Sequence, residues 1–259
     1  MTYATIWGFD RSPEKIWELL RDFLAETTPR PNAGHLALAE LQALGVVATV
    51  VTQNVDNLHQ EAGSTGVVEF HGSLLEAACR KCRAQGGPVA PLLARGGALP
   101  PRCAACGGPL KPSAVLFGER IPDDAARNAQ AAARACDVML VVGTSASVRP
   151  ASDLPRLALQ AGATVVEVNV EATGLTGSVS DVILRGKAGV VLPQVLAAVK
   201  LLRAGGGGGG GGGGRAVEDA VPRAALCAQQ PPSRRRGGRR ALPTRALPRA
   251  GPTSGSHLV

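Results

Sequence analysis

Four cysteines stand as two Cys-x2-Cys pairs, Cys79 with Cys82 and Cys103 with Cys106, separated by 20 residues. Each pair offers two thiolates from one tight turn, and two such turns close a tetrahedron around Zn2+. Gly107 and Gly108 come directly after the second pair and suit a metal knuckle. Disulfides or free thiols are the alternatives. Disulfides are disfavoured because the opening "MTYATIWGFDRSPEK" lacks the basic-then-apolar order of a secretory signal, which also points to an intracellular protein. A catalytic zinc keeps one position open for water; four thiolates leave none, so the expected role is structural. Cys136 and Cys227 have no such pairing, and Cys136 at the end of an apolar helix reads as a core residue.

A second concentration of chemistry comes after an apolar run. "VVATVV" leads into "TQNVDNLHQEAGSTGVVEFHGS", residues 52–73, which holds Gln53, Asn54, Asp56, His59 and His71. Two further apolar runs end in polar residues: "DVMLVV" reaches Gly143, Thr144 and Ser145, and "ATVVEV" reaches Asn169 and Glu171. In open α/β sheets ligands bind beyond the carboxyl ends of the strands, so these residues describe one crevice of amides, hydroxyls and a carboxylate. Glu171 suits a ribose hydroxyl. Helix capping by Ser145 and Asn169 is the plainer alternative. Histidine as a residue type exchanges protons near neutral pH, so His71 is a candidate base, and Gly72 leaves room for a ligand, although a lone histidine there also fits a structural role. His59 reads as a residue that caps or orients its loop.

The elements that must position these groups alternate. "SPEKIWELLRDFLAET" is a helix with Ser12 as N-cap and Pro13 at its first position. "AGHLALAELQALG" is a helix closed by Gly45, and "AARNAQAAARAC", "PASDLPRLALQAG" and "GVVLPQVLAAVKLLR" are three more. "VVATVVTQN", "DVMLVVGTS", "ATVVEVNVE" and "SDVILRG" are strands. Apolar strands alternating with helices predict an α/β fold, a parallel sheet covered on both faces. Residues 77–112, rich in Cys, Gly and Pro, break the rhythm and read as a small inserted zinc-binding module.

Composition divides the chain. Residues 1–204 carry nineteen basic and eighteen acidic side chains, whereas 205–259 carry nine arginines and two acids. The whole chain has 259 residues and a formal charge of +8. Residues 1–204 therefore form the expected folded domain. Residues 205–259, with ten consecutive glycines and "RRRGGRR", read as a disordered tail that could touch nucleic acid or acidic partners, or have no role. No run of 18 apolar residues occurs, so no membrane span is expected.

"TQNVDNLHQEAG", "EFHGS", the Cys-x2-Cys-x20-Cys-x2-Cys frame, "VLFGE", "GTSASVRPA" and "VNVE" succeed one another as in sirtuins, the NAD-dependent protein deacylases. Over about residues 10–200 the chain resembles that family. The resemblance implies a Rossmann-like domain plus a zinc module, with NAD and an acyl-lysine protein or peptide meeting between them. It makes His71 the general base at the ribose hydroxyls, after the acyl oxygen displaces nicotinamide. It puts Asn54 and Asp56 at the nicotinamide pocket and Gln53 at the ribose. Gly143, Thr144, Ser145, Asn169, Glu171 and Ala188 would hold the rest of the dinucleotide. Val115, Leu116 and Phe117 would wall an acyl-lysine tunnel. Backbone at Gly118–Glu119 and Ser147–Val148 would pair with the substrate as an added strand. Sirtuins open with a strand and a Gly-Ala-Gly-x-Ser phosphate turn. "MTYATIWGFDRSPEKIWELLRDF" resembles the family's segment just past that loop, so the sheet is expected to lack its first strand. A catalytically impaired binding protein and ADP-ribosyl transfer to protein remain the alternatives.

Overall fold

The structure is a computed structural model that describes residues 4–205. The basic tail and Cys227 lie outside the described residues.

Three helices lead. Helix α1 (Ile6–Arg11) is capped by Thr5, whose hydroxyl accepts from the Gly8 N–H, and α2 (Pro13–Glu26) starts on the expected Ser12–Pro13 signal. Helix α3 (Ala33–Ala43) opens with a reciprocal cap. The Asn32 side chain accepts from the Gly34 and His35 N–H groups, and His35 Nδ1 accepts from the Asn32 N–H. Its stop is Gly45, at φ 69°, a left-handed turn that a β-carbon disfavours.

The parallel strands come as two groups. Strand β1 (Val51–Thr52) pairs with β2 (Val68–Glu69) across the short helix α4 (Leu58–Glu61). Later, α6 (Asp123–Ala135) feeds β6 (Val138–Val142), α7 (Leu154–Gln160) feeds β7 (Thr164–Asn169), and β8 (Val182–Arg185) pairs on the far side of β7. The final helix, α8 (Ala188–Gly205), closes the described chain. The expected strand over 46–54 is reduced to two paired residues. Among the described residues β1 has a ladder partner only in β2, and the rest of the run has none to hold it extended.

The sheets lie between two helix pairs. Met139 of β6 packs with Val51 and Val68 against the α6/α7 cluster around Ala129, Ala133 and Ala158. Val142, three residues on and hence on the opposite face, joins the α3/α8 cluster of Ala37, Leu41, Leu192 and Leu196. Helix α8 is long and apolar enough to cross a membrane by length and composition. Here Leu192 and Leu196 are buried against α3, and Lys200 pairs with Glu40.

The cysteine segment has more order than its sequence promises. Strands β3 (Glu76–Cys79), β4 (Gln85–Pro88) and β5 (Leu110–Pro112) form an antiparallel sheet in the order β4-β3-β5, with helix α5 (Val89–Ala94) after β4. Helices α1 and α2 pack on this module and not on the parallel sheet. Phe9, Trp17 and Leu20 share one core with Ala77, Cys79, Val89, Cys103 and Leu110. The Trp17 indole donates to the Leu110 carbonyl at 2.8 Å, so burial leaves its N–H satisfied. Arg80 grips Asp10 with two bonds of 2.9 Å, fixing α1 to the module and holding the Asp10 carboxyl below its usual pKa.

One buried carboxylate ties the end of the α/β sheet. Glu167 on β7 is 1% exposed and accepts hydroxyl bonds from Thr173, Thr176 and Ser180 at 2.8–2.9 Å. Glu167→Ala leaves these three hydroxyls without their acceptor. It is expected to lower stability by about 3 kcal/mol, read as an earlier urea midpoint with an unchanged slope; Glu167→Gln should lose about 1 kcal/mol.

Candidate functional site

The β1–β2 register builds the centre of the site. Thr52 stands beside Glu69, and the Phe70 N–H donates to the Thr52 carbonyl at 2.9 Å. The next residues of both strands therefore meet: His71 Nδ1 lies 3.1 Å from the Gln53 carbonyl. A carbonyl only accepts, so this bond requires the proton on Nδ1 and leaves the Nε2 lone pair as the proton acceptor. The His71 ring also stands edge-on to buried Phe70, with centroids 5.5 Å apart. Its own carbonyl accepts from the Val115 N–H at 2.8 Å. Gly72 is needed at this bend. It has φ 70°, and a β-carbon would lie 2.2 Å from the Ser113 carbonyl oxygen.

Gln53 reaches the other way. Its Nε2 donates to Thr144 Oγ1 at 3.3 Å, and the Thr144 carbonyl accepts from Asn169 Nδ2 at 2.9 Å. His71, Gln53, Thr144 and Asn169 thus form one row across the carboxyl ends of β2, β1, β6 and β7. Gly143, at φ 62°, starts the turn after β6 with open space on its Cα, and its N–H donates to the Val168 carbonyl. Asn54 comes next to Gln53, its N–H held by Thr52 Oγ1 at 3.1 Å. Ser145 is exposed and bonds Ser147 at 2.8 Å; it caps no helix. Glu171 is exposed, and its carbonyl takes the Arg185 guanidinium. Ala188 begins α8, where its carbonyl packs 3.2 Å from the point a Gly34 β-carbon would occupy. This open row of amides, hydroxyls and glycine backbone fits a ribose-bearing dinucleotide.

The segment 115–119 makes a turn. The Glu119 N–H donates to the Leu116 carbonyl at 2.9 Å around Gly118, at φ 87°. The Glu119 carboxylate accepts from the Leu116 N–H at 2.8 Å and pairs with half-buried Lys111 at 3.0 Å. Lys111 also donates to the Pro112 and Ala114 carbonyls. Burial pulls its pKa below the usual value and Glu119 opposes that shift. Glu119 is thus the anchor of the turn, and its N–H is already engaged. Among the described residues the peptide groups of Gly118 have no partner. Val115 and Leu116 are half-buried; Phe117 and Val148 are exposed.

His59 caps nothing. Asp56 accepts the Leu58 N–H at 3.1 Å, and His59 packs edge-on to His35 with centroids 4.7 Å apart. Sequence reading missed His35, although Asn32 three residues before it marks a cap position. Lys111 was missed too, since nothing local distinguishes it from a surface lysine.

The four cysteines converge. All four Sγ atoms lie within 4.8 Å of one another, with Cys79 to Cys106 at 3.5 Å and Cys82 to Cys103 at 3.7 Å. Ligands about 2.3 Å from zinc in a tetrahedron stand about 3.8 Å apart, so this set fits one Zn2+. The Cys82 and Lys81 N–H groups point at Cys79 Sγ, both at 3.4 Å. The Cys82 N–H above all draws the Cys79 thiol down to about 6. Cys82 is pushed up to about 12: the Ala84 N–H holds it down, but Cys106 and Cys79 beside it outweigh that bond. Cys136 is half-buried against the α6/α7 cluster and burial raises its pKa, which agrees with a core role.

A parallel α/β domain with a ligand crevice at its strand ends, carrying a four-cysteine antiparallel module, is the class that fold and site define. The model of the Sir2 family matches residues 4–150. NAD-dependent protein deacylase 2 of Pyrobaculum aerophilum is 48% identical over 199 residues, covering 76% of this chain and 78% of that one. The NAD-dependent protein deacylase of Pyrococcus furiosus is 39% identical over 203 residues, covering 76% and 80%. Among solved structures, Sir2Af2 bound to a myristoylated histone peptide matches with TM-score 0.68 and 40% identity over 78% of this chain and 85% of that one. A Sir2 homolog–NAD complex matches with TM-score 0.69 and 37% identity over 77% of each. The chain belongs to the Sir2 family.

This geometry has two measurable outcomes. Zinc analysis is expected to give one ion per chain, and none in Cys79→Ser; chelation should unfold the module and red-shift the emission of Trp17, which is fully buried in its core. The second concerns pH. Burial, more than any other cause, lowers the pKa of both His35 and His59; Asp56 opposes this in each, and the two histidines disfavour each other's charge at His59. The unfolded chain therefore binds protons below about pH 6.5 that the folded chain does not. Stability should fall as pH drops through about 6.5, and His35→Gln/His59→Phe should flatten urea midpoints between about pH 5 and 7.

Proposed function

We infer that this protein is an NAD-dependent protein-lysine deacylase. The observation that carries the reading is the row His71–Gln53–Thr144–Asn169 across the strand ends. It offers one oriented base and several ribose-directed polar groups on a single line. The names of the relatives support the same activity, and the structures with NAD and with a myristoylated histone peptide support a dinucleotide and an acylated peptide as the substrates. Four reduced thiolates suit an intracellular setting.

NAD, when bound, supplies an activated ribose carbon with nicotinamide as leaving group, and the ribose that accepts the acyl group. The chain's own residues do the rest. Gln53, Asn54 and Asp56 orient the nicotinamide ribose. Gly143, Thr144, Ser145, Asn169, Glu171 and Ala188 hold the remainder of the dinucleotide. His71 takes a ribose hydroxyl proton at Nε2, while the Gln53 carbonyl keeps Nδ1 protonated and the ring in place. Val115, Leu116 and Phe117 line the path of the acyl-lysine, and the free peptide groups of Gly118, together with Ser147 and Val148, bind the substrate backbone. The four-cysteine zinc site holds the module and leaves no position for chemistry.

An acetyl-lysine peptide with NAD should yield nicotinamide and O-acetyl-ADP-ribose, identified by mass spectrometry. His71→Ala should reduce the rate by about 10²–10⁴-fold with zinc content unchanged. Equal rates would remove His71 from its role. ADP-ribose retained on the acceptor protein would replace deacylation by ADP-ribosyl transfer.

A further inference from the structure

The most exposed large apolar side chains gather at the turn 115–119. Trp7 on α1 is 69% exposed and Phe117 is 65% exposed. Leaving an indole in water forgoes apolar burial, and nothing in the fold of α1 requires it, since Ile6 and Phe9 already bury its inner face. The backbone that leads into Trp7 is also tied to the turn. Residues 4–6 run beside Phe117 in a parallel bridge, with the Ile6 N–H donating to the Phe117 carbonyl and the Phe117 N–H donating to the Ala4 carbonyl, both at 3.0 Å. The ring then lies against Gly118: a β-carbon there would be 2.6 Å from it. The unpaired peptide groups of Gly118 thus have an aromatic wall beside them.

We propose that Trp7 is a specificity-determining residue that receives an apolar side chain of the substrate peptide next to the acyl-lysine. The proposal rests on the deacylase reading and names what that same site selects. Any chain that hydrogen-bonds Gly118 must pass the indole, whose flat apolar face takes aliphatic or aromatic side chains at small entropic cost. The backbone bridge to Phe117 sets the Trp7 backbone beside the turn, and the indole already lies against Gly118.

The chain has two tryptophans, and Trp17 is fully buried with its N–H bonded, so a ligand-induced change in emission reads on Trp7. Two acetyl-lysine peptides, one with leucine and one with glycine beside the acetyl-lysine, are titrated into the full chain. Binding is tracked by anisotropy of a labelled peptide and by acrylamide quenching of tryptophan. The leucine peptide should blue-shift the emission and protect it from acrylamide, and the glycine peptide should do so far less. Trp7→Ala should weaken the leucine peptide about 10-fold, raise its KM with kcat unchanged, and leave the glycine peptide within about twofold; Trp7→Phe should recover most of the loss. Peptide that binds and is deacylated with Trp7 unprotected, or equal weakening of both peptides in Trp7→Ala, overturns the role of Trp7 alone. No binding of either peptide by the full chain overturns this inference together with the deacylase reading.

Discussion

Between β1 and β6 no backbone ladder runs among the described residues, yet the crevice needs both strand ends at fixed spacing. Gln53 supplies the link. Its carbonyl fixes the His71 ring and its side-chain amide reaches Thr144, whose carbonyl in turn fixes Asn169. One residue therefore sets the orientation of the His71 ring and ties it to the second group of strands. The remaining support comes from the helix layers: α6/α7 contacts both groups, through Val51, Val68 and Met139, and α3/α8 contacts the second through Val142. The α6/α7 layer bridges the two sheets, and the side-chain relay links their ends.

Much of this was legible in residue types. The cysteine spacing identified a metal frame because ligand chemistry constrains position along the chain directly. The helices were visible through period and caps, and Pro13 and Gly45 fell where a start and a stop belong. Polar residues after apolar runs marked Gln53, Thr144 and Asn169, because open α/β sheets bind ligands beyond the carboxyl ends of their strands. What stayed hidden depends on partners distant in sequence. The run 46–54 reads as a long strand, but its paired length is set by β2. Helix α2 reads as part of the α/β alternation, but the fit of Trp17 to Leu110, 93 residues away, places it on the module. Glu119 reads as backbone that pairs with a substrate, but its N–H bonds the Leu116 carbonyl and its carboxylate pairs with Lys111, which makes it an anchor.

The His35–His59 pair illustrates the same limit. Each histidine alone has the composition of a functional residue. Together, beneath the loop that carries Asp56, they are a packed contact between α3 and α4. Chemistry-bearing side chains separate into working and structural ones only through their neighbours. His71 differs because its one ring bond is to a carbonyl, which leaves Nε2 directed elsewhere.

The zinc module contributes to the site through register. In the β3–β5 ladder Cys79 stands opposite Leu110 and Ala78 opposite Lys111. Fixing Cys79 in a metal tetrahedron fixes Leu110, whose carbonyl takes the Trp17 indole and so seats α2. Side chains alternate along a strand, so the same register aims Lys111 away from that core and toward Glu119. A slip of one residue would exchange these directions and release the turn that carries Phe117 and Gly118. Metal binding is thereby coupled to the turn at Phe117 and Gly118 without a ligand atom near it, although the site has no open coordination position.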